Sequence, residues 1–375
     1  MVSSHSRSGG APRPLRVLIA GGGTGGHLYP GLAVAQSLRG LAPGADIRFA
    51  GSARGLEVRE VPRHGYRLYL IPVRGLYGVS RWRRIVGVSL LPLAFLKSLW
   101  VLLTFRPHLV LGVGGYASGP ILATALLLGR RCALQEQNAY PGITNRLLGK
   151  FVSVAFITVP DAHGFFPRAI VTGNPVRRDI LALRDSPLPS DPPDRPLQVF
   201  ILGGSLGARA INTAMIEALP MLARSARPPR VIHQTGRLDI DWVSQAYSAA
   251  SLEARVTPFL EDVASAYRDS ALVISRAGAS AVGEITAARK PSVLIPIPGT
   301  SGEHQLRNAQ RLADAGAAVL IPQPELTPER LAETVLALLA DSSRRAAMAN
   351  AADALFPGDA AQHIAAECLK LAGRA

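Results

Sequence analysis

Leu15-Arg16-Val17-Leu18-Ile19-Ala20-Gly21-Gly22-Gly23-Thr24-Gly25-Gly26-His27 decides the fold, because the chain repeats its pattern at Leu197-Gln198-Val199-Phe200-Ile201-Leu202-Gly203-Gly204-Ser205-Leu206-Gly207-Ala208-Arg209. Each stretch is an apolar run of strand character that enters Gly-Gly, a hydroxyl residue and a further Gly, then a helix. Without Cβ atoms, such a turn lets backbone N–H groups approach a phosphate or a sugar. Two copies half a chain apart predict two similar α/β domains that face each other, with a ligand in the cleft between them.

The bulk composition allows this. With 375 residues, 48% of them apolar, the chain can build two domains that each bury a core. Cys132 and Cys368 are the only cysteines, and nothing near them has metal-ligand spacing. That argues against a disulfide framework and a zinc site and fits a reducing compartment. Residues 1–14, rich in Ser, Gly, Arg and Pro, read as a disordered tail.

The net charge of +15 calls for an anionic partner. No Asp or Glu lies between Glu60 and Glu136, and Arg63, Arg67, Arg74, Arg81, Arg83, Arg84, Lys97, Arg106, Arg130 and Arg131 fall in that span. The span is also the most apolar of the chain, which favours an anionic lipid surface over nucleic acid. The alternative is a solvated basic face with no partner. Within it, Ile85 to Thr104 is long and apolar enough to suggest a membrane span. Its place between two strands of one sheet, and Gly87, Pro92 and Lys97 inside it, point instead to a helix half in the core and half against a membrane surface. Trp82, among Arg81, Arg83 and Arg84, suits a headgroup boundary, with Ile85 beside it.

Alternating strands and helices predict parallel sheets. Strands are expected at Arg16–Ala20, Asp46–Ala50, Arg67–Val73, His108–Val113, Cys132–Gln135 and Val152–Thr158 in the first half. Helices are expected after Pro30, Gly55, Trp82, Ser118 and Pro141. The second half restarts at Gln198–Leu202, with strands near Val231 and Val256 and at Leu272–Ser275, Ser292–Pro296 and Ala318–Ile321. The expected domains are residues 15–183 and 197–355. A Pro-rich linker (184–196) joins them, and a C-terminal helix within 356–375 is free to pack back on the first domain.

Several motifs have competing readings. Gly21-x-Gly23-x-x-Gly26 matches a dinucleotide fingerprint, but the second strand ends Phe49-Ala50-Gly51-Ser52 without the acid a nicotinamide ribose requires. Gly203-x-Ser205-x-Gly207 matches a hydrolase nucleophile elbow, yet its twin at Thr24 has no such meaning. A shared ligand-binding role explains both. His27 stands at a helix start, where a neutral imidazole can take a proton; the plainer reading is a capping or packing ring. Gly114-Gly115-Tyr116 and Gln135-Glu136-Gln137-Asn138 close two further strands, where ligands of open parallel sheets sit. Ser275 to Glu284 runs from a strand into a helix whose start suits a phosphate. Glu284, about a turn inside, can accept from both ribose hydroxyls. Glu303-His304-Gln305-x-x-Asn308 adds polar groups suited to sugar hydroxyls.

In this order, Gly21 to His27 with Pro30-Gly31-Leu32-Ala33, Gly114-Gly115-Tyr116, Glu136-Gln137-Asn138, Gly173-Asn174-Pro175-Val176-Arg177, Gly203-Gly204-Ser205 and Ser275-Arg276-Ala277-Gly278-Ala279 resemble the MurG family over nearly all of residues 15–370. That family moves N-acetylglucosamine onto an undecaprenyl-linked muramyl-pentapeptide in peptidoglycan synthesis. The resemblance implies a GT-B fold, meaning two Rossmann-like domains around a deep cleft. The second domain would bind UDP-N-acetylglucosamine and the first the lipid acceptor. The implied reaction inverts the anomeric centre, with no cofactor and no required metal, at the cytoplasmic face of the membrane.

His27 is then the expected base. Donor contacts are expected from Thr24, Gly25, Gly26, Asn138, Arg177, Ser205, Leu260, Ala279, Ser280, Ala281, Val282, Gly283, Glu284 and Gln305. Gly115, Tyr116 and Glu136 are acceptor-side candidates, and Trp82 and Ile85 membrane contacts. Ala281 stands where many members carry Thr, which leaves only backbone contacts there. Another GT-B enzyme with a different sugar or lipid, or a non-enzymatic nucleotide-sugar binder, would share the fold.

Overall fold

A computed structural model describes residues 14–75, 80–187, 195–204, 207–250, 252–299 and 303–373. The first sheet comprises β1 (Arg16–Gly21), β2 (Asp46–Ser52), β3 (Arg67–Ile71), β4 (Leu109–Gly114), β5 (Arg131–Glu136), β6 (Val154–Ile157) and β7 (Ala169–Val171). Its helices are α1 (Gly25–Leu41), α2 (Glu57–Arg63), α3 (Arg81–Ser89), α4 (Leu91–Phe105), α5 (Ser118–Leu127) and α6 (Ile143–Leu148), followed by the short α7 (Arg178–Leu181). The second sheet comprises β8 (Gln198–Leu202), β9 (Arg230–Gln234), β10 (Ala254–Thr257), β11 (Ser270–Ser275), β12 (Ser292–Leu294) and β13 (Ala318–Leu320). Around it lie α8 (Arg209–Ala223), α9 (Ile240–Ala249), α10 (Val263–Asp269), α11 (Ala279–Ala287) and α12 (His304–Asp314). The chain ends with α13 (Pro328–Ala340), α14 (Ser342–Ala354) and α15 (Ala360–Leu371).

Both sheets are parallel, in the orders β3-β2-β1-β4-β5-β6-β7 and β10-β9-β8-β11-β12-β13. In each the strand order reverses beside the first strand, between β1 and β4 and between β8 and β11. The crevice beyond the carboxyl ends of such a strand pair is where open α/β sheets bind ligands. All the Gly-rich turns quoted above emerge there: after β1, β4, β8 and β11.

Each sheet is covered on both faces. Leu28, Leu32, Val34 and Leu38 of α1 bury one face of the first sheet. Ile364, Ala365 and Cys368 of α15 belong to the same core, so the end of the chain completes the first domain. Val101, Leu102 and Phe105 of α4 and Ile121 and Leu122 of α5 bury the other face.

Three sequence expectations are corrected. The first helix begins at Gly25, not after Pro30, because Pro30 fits into the early turns of α1. The apolar helix expected over Ile85 to Thr104 is two helices broken at Leu90, with Pro92 in the first turn of α4, where its missing N–H is harmless. The chain crosses between domains before the Pro-rich segment, since Val176 and Ile180 are already buried in the second domain's core. Part of that segment, residues 188–194, lies outside the described residues.

Candidate active site

A cleft of about 390 Å³ lies between the domains at the two strand-order reversals. Thr24, Gly25, Gly26, His27, Asn138, Arg177, Leu260, Ala279, Ser280, Ala281 and Glu284 all line it. The N-termini of α1 and α11 both open into it. Their cap residues, Thr24 and Gly278, make no side-chain capping bond, which leaves their first N–H groups to a ligand. A wider polar groove of about 760 Å³ runs behind α1; of the site residues foreseen from sequence it contains only Arg177.

Direct hydrogen bonds join the walls. Pro30 has no N–H to give to the Gly26 carbonyl four residues back, so that oxygen accepts the Ser280 hydroxyl of α11 at 3.3 Å. The Asn174 amide donates to the Ala279 carbonyl at 3.3 Å. Outside the cleft, Arg63 meets Glu261 at 3.1 Å.

His27 is half-buried on the first turn of α1. Its Nδ1–H donates to the Val113 carbonyl at 3.2 Å, because a carbonyl only accepts; this tautomer leaves Nε2 with a lone pair. Burial pushes the imidazole below its ordinary value, against the Val113 and Gln137 hydrogen bonds and the field of Glu57, which favour the proton. The ring is therefore neutral at neutral pH. Gly114 makes its space: with φ +90°, a Cβ there would stand 2.6 Å from His27 Nδ1. The third Gly-rich loop thus serves the histidine.

Glu284 and Arg177 form the opposite corner. Arg177 Nε lies 3.5 Å from Glu284 Oε1, and the Tyr267 hydroxyl donates to Oε2 at 3.3 Å. Burial raises the Glu284 carboxyl, while Arg177 and then Tyr267 hold it down. The Arg177 guanidinium sits 5.0 Å above the Tyr29 ring.

Other foreseen residues are placed differently. Glu136 is buried; its Oε1 accepts from the Asn138 backbone and side-chain amides and its Oε2 from Gly142 N and Asn145. It holds Asn138 in the cleft and presents nothing to an acceptor itself. Gly115 packs on the Gly22 backbone, where a Cβ would collide, so it too is a close-approach residue. Tyr116 is exposed and lines a separate basic groove of about 580 Å³ with Arg54 and Arg74. Val282 and Gly283 turn to a small pocket behind α11, because successive helix positions point to different sides. Gln305 accepts from Ile297 N outside the cleft. The Leu260 N–H is taken by the Gln234 side chain at 3.1 Å. Ser205 lies outside the described residues.

The first Gly-rich turn also departs from expectation. The N–H groups of Gly22 and Gly23 do not face an open cradle: Gly22 N bonds the Gly114 carbonyl and Gly23 N bonds Glu57. Sequence reasoning missed Glu57, since nothing in Gly55-Leu56-Glu57 signals a buried carboxylate. It also left out Gln137, Gln234, Tyr29, Phe259 and Arg276, which line the cleft. Of these only Gln137 and Arg276 stood inside a motif quoted above.

Residues 17–157 match the N-terminal domain of glycosyltransferase family 28 and residues 198–364 its C-terminal domain. A Myxococcus xanthus protein, UDP-N-acetylglucosamine--N-acetylmuramyl-(pentapeptide) pyrophosphoryl-undecaprenol N-acetylglucosamine transferase, is 43% identical over 95% of this chain and 93% of its own. The Acinetobacter baumannii MurG crystal structure superposes with TM-score 0.73 at 31% identity, covering 95% of this chain and all of that one.

The chain belongs to the MurG family.

The GT-B fold expected of MurG relatives is the one found, with parallel sheets of 7 and 6 strands. The same architecture extends beyond MurG proteins. A putative UDP-N-acetylglucosamine 2-epimerase from Listeria monocytogenes shares the fold at 16% identity (TM-score 0.70, covering 95% of this chain and 96% of that one), a likeness of fold alone.

α3 and α4 carry the basic, apolar segment. Ala94, Ser98, Val101, Leu102 and Phe105 form a buried stripe at helical spacing against the first sheet. The outer face shows Leu93, Phe95, Leu96, Trp100 and Leu103, and α3 adds Trp82 at 76% exposure and Ile85 at 58%. Arg84–Phe105 is long and apolar enough to cross a membrane by composition. Its inner stripe is nonetheless built into the sheet's core. An exposed apolar face of this extent marks an interaction surface.

Proposed function

We propose that the protein transfers N-acetylglucosamine from UDP-N-acetylglucosamine to the C4 hydroxyl of the muramyl sugar of undecaprenyl-pyrophosphoryl-N-acetylmuramyl-pentapeptide, by one inverting displacement. The observation that carries this reading is one interdomain cleft holding a neutral imidazole whose Nε2 keeps its lone pair, two uncapped helix N-termini and the Glu284–Arg177 pair, in a chain 43% identical to a relative of that name.

The nucleotide lies along the second domain. Glu284 accepts from the ribose hydroxyls, and a base contact at Leu260 falls to its carbonyl because Gln234 holds its N–H. The diphosphate sits against the start of α11 and the Gly203-Gly204 turn, with Arg177 close by. Asn138, held by Glu136, meets the sugar. The acceptor enters from the first domain along the groove of Arg54, Arg74 and Tyr116. Its C4 oxygen attacks the anomeric carbon as the proton passes to His27 Nε2. The bond from the anomeric carbon to the phosphate oxygen breaks and UDP leaves with the electron pair. Imidazolium formation is matched by the negative charge gathering on the leaving diphosphate.

The acceptor's lipid remains in the bilayer, so α3 and α4 meet the membrane surface through Trp82, Ile85 and the outer face of α4. Arg81 and Arg84, both exposed, add attraction of roughly 1 kcal/mol each to an anionic surface. On this reading the enzyme is peripheral, on the cytoplasmic leaflet.

The test is transfer of labelled N-acetylglucosamine to the lipid-linked muramyl-pentapeptide, with UDP-glucose and UDP-N-acetylgalactosamine as parallel donors. Transfer from UDP-N-acetylglucosamine alone is expected. Transfer from another donor, or none with folded protein and acceptor present, overturns the reading.

A further inference from the structure

The anion cradle of the first Gly-rich turn is filled from within. Glu57, the first residue of α2, is completely buried. Its Oε2 accepts from Gly23 N at 2.8 Å, and its Oε1 from the Ser52 N–H and the Ser52 hydroxyl, both at 2.7 Å. Three glycines give it room. A Cβ on Gly22 would stand 2.6 Å from its Cδ, one on Gly51 2.6 Å from its Cγ, and one on Gly55 would overlap the carboxylate. A fully buried acid with three neutral donors is a built arrangement, because a buried carboxylate is strongly destabilising unless its lone pairs are met by hydrogen bonds.

Two consequences meet at His27. The Gly23 N–H that Glu57 holds immediately precedes Thr24, the cap of the helix that carries His27. Among the described residues the field of Glu57 favours the protonated ring, while the ring's hydrogen-bond partners, the Val113 carbonyl and the Gln137 amide, are neutral.

We propose that Glu57 is the resident anion of the first Gly-rich turn, a positioning residue that fixes Gly23 at the entry to the helix of His27 and supplies a negative charge near the imidazolium formed during transfer. The inference rests on His27 being the base. A fixed charge in a buried setting stabilises a developing opposite charge without reorganising when the reaction occurs.

The experiment compares full-length wild type, Glu57→Gln, Ser52→Ala and His27→Ala in the transfer assay, with kcat and donor KM followed across pH. Glu57→Gln keeps the shape and removes the charge. Its kcat is expected to fall by about tenfold or more with donor KM nearly unchanged. Its acid limb should move to lower pH, since the imidazole loses the charge that favours its proton. Ser52→Ala removes one hydrogen bond and keeps the charge, so its acid limb stays in place. A purely structural role would lower kcat in both variants without moving the limb.

Wild-type kcat and an unmoved limb in Glu57→Gln, with His27→Ala inactive, overturn the proposal and leave the base assignment standing. Turnover in His27→Ala overturns the base assignment itself. Where the Gln variant does not fold, Glu57→Asp decides. It draws the charge back from Gly23 and from the imidazole, so a kcat reduced about fivefold or more is expected together with an acid limb moved to lower pH, whereas a reduced kcat at an unmoved limb marks a purely structural role and overturns the proposal. Wild-type kcat there also overturns the proposal.

Discussion

Gly114→Ala is the sharpest perturbation of the proposed base that does not touch the base itself. The added Cβ would stand 2.6 Å from His27 Nδ1 and 2.8 Å from Cε1. Ordinary contact lies near 3.5 Å, so the ring must withdraw by roughly 1 Å. That stretches the 3.2 Å bond to Val113, which fixes the tautomer. A displacement of about 1 Å at a reacting group costs on the order of a hundredfold in rate, or about 2.7 kcal/mol of barrier. The left-handed φ of Gly114 adds roughly 1–2 kcal/mol of folding strain for any residue with a Cβ. The assay is steady-state transfer at 25 °C beside thermal unfolding, with Gly40→Ala as control, since a Cβ at Gly40 meets nothing within 4 Å. The expected result is a folded protein, melting several degrees lower, with kcat down about a hundredfold and donor KM nearly unchanged. A kcat within about threefold of wild type would refute the reasoning, because the imidazole would then tolerate displacement that a positioned base cannot.

Other measurements follow from the same structure. Ile364→Ala should destabilise the first domain by about 2–5 kcal/mol, read by denaturant unfolding, since Ile364 of α15 is fully buried in its core; a loss below about 0.5 kcal/mol would show that α15 is not part of that core. Burial drives His233 down to about 3, between Asn212 and Tyr247. Stability should therefore be full above pH 6.5 and fall by about 1.4 kcal/mol per pH unit towards pH 3, as the unfolded chain takes up the proton first. His233→Gln, less stable at pH 7.5, should show a flatter pH dependence in urea unfolding; an identical slope would exclude His233 as the cause. Replacing Trp82, Leu96 and Trp100 together by Ser should abolish sedimentation with anionic vesicles at low salt and spare turnover on a water-soluble, short-chain acceptor. Vesicle binding equal to wild type would remove α3 and α4 as the membrane face.

Much of the architecture was legible in order along the chain. Each strand-Gly-Gly run is a local pattern, since an apolar strand and a turn that forbids Cβ atoms are both written within a dozen residues. Recurrence of that pattern gave two parallel-sheet domains and put the ligand between them, and the resemblance supplied the family. Edges were less legible. Pro30 suggests a helix start because Pro is favoured early in helices, whereas α1 starts five residues before it and uses the carbonyl Pro30 frees to meet Ser280.

The site divides in the same way. The sequence by itself determined which segments reach the cleft, because residues after β1, β4, β8 and β11 emerge at the strand-order reversals whatever their side chains do. Only the tertiary structure decided what each residue does there. Glu136 faces its own loop and Glu57 fills the turn thought to cradle a phosphate. Gly114 and Gly115 make way for His27 and Gly22 rather than for a ligand. Val282 and Gly283 turn from the cleft that Ala281 and Glu284 line. Glu57, Gly114 and Gly115 each meet a partner 34 or more residues away, Glu136 depends on how the loop through Asn145 folds back over it, and Val282 and Gly283 on a helical rotation of about 100° per residue; none of these is encoded in a motif's spacing alone.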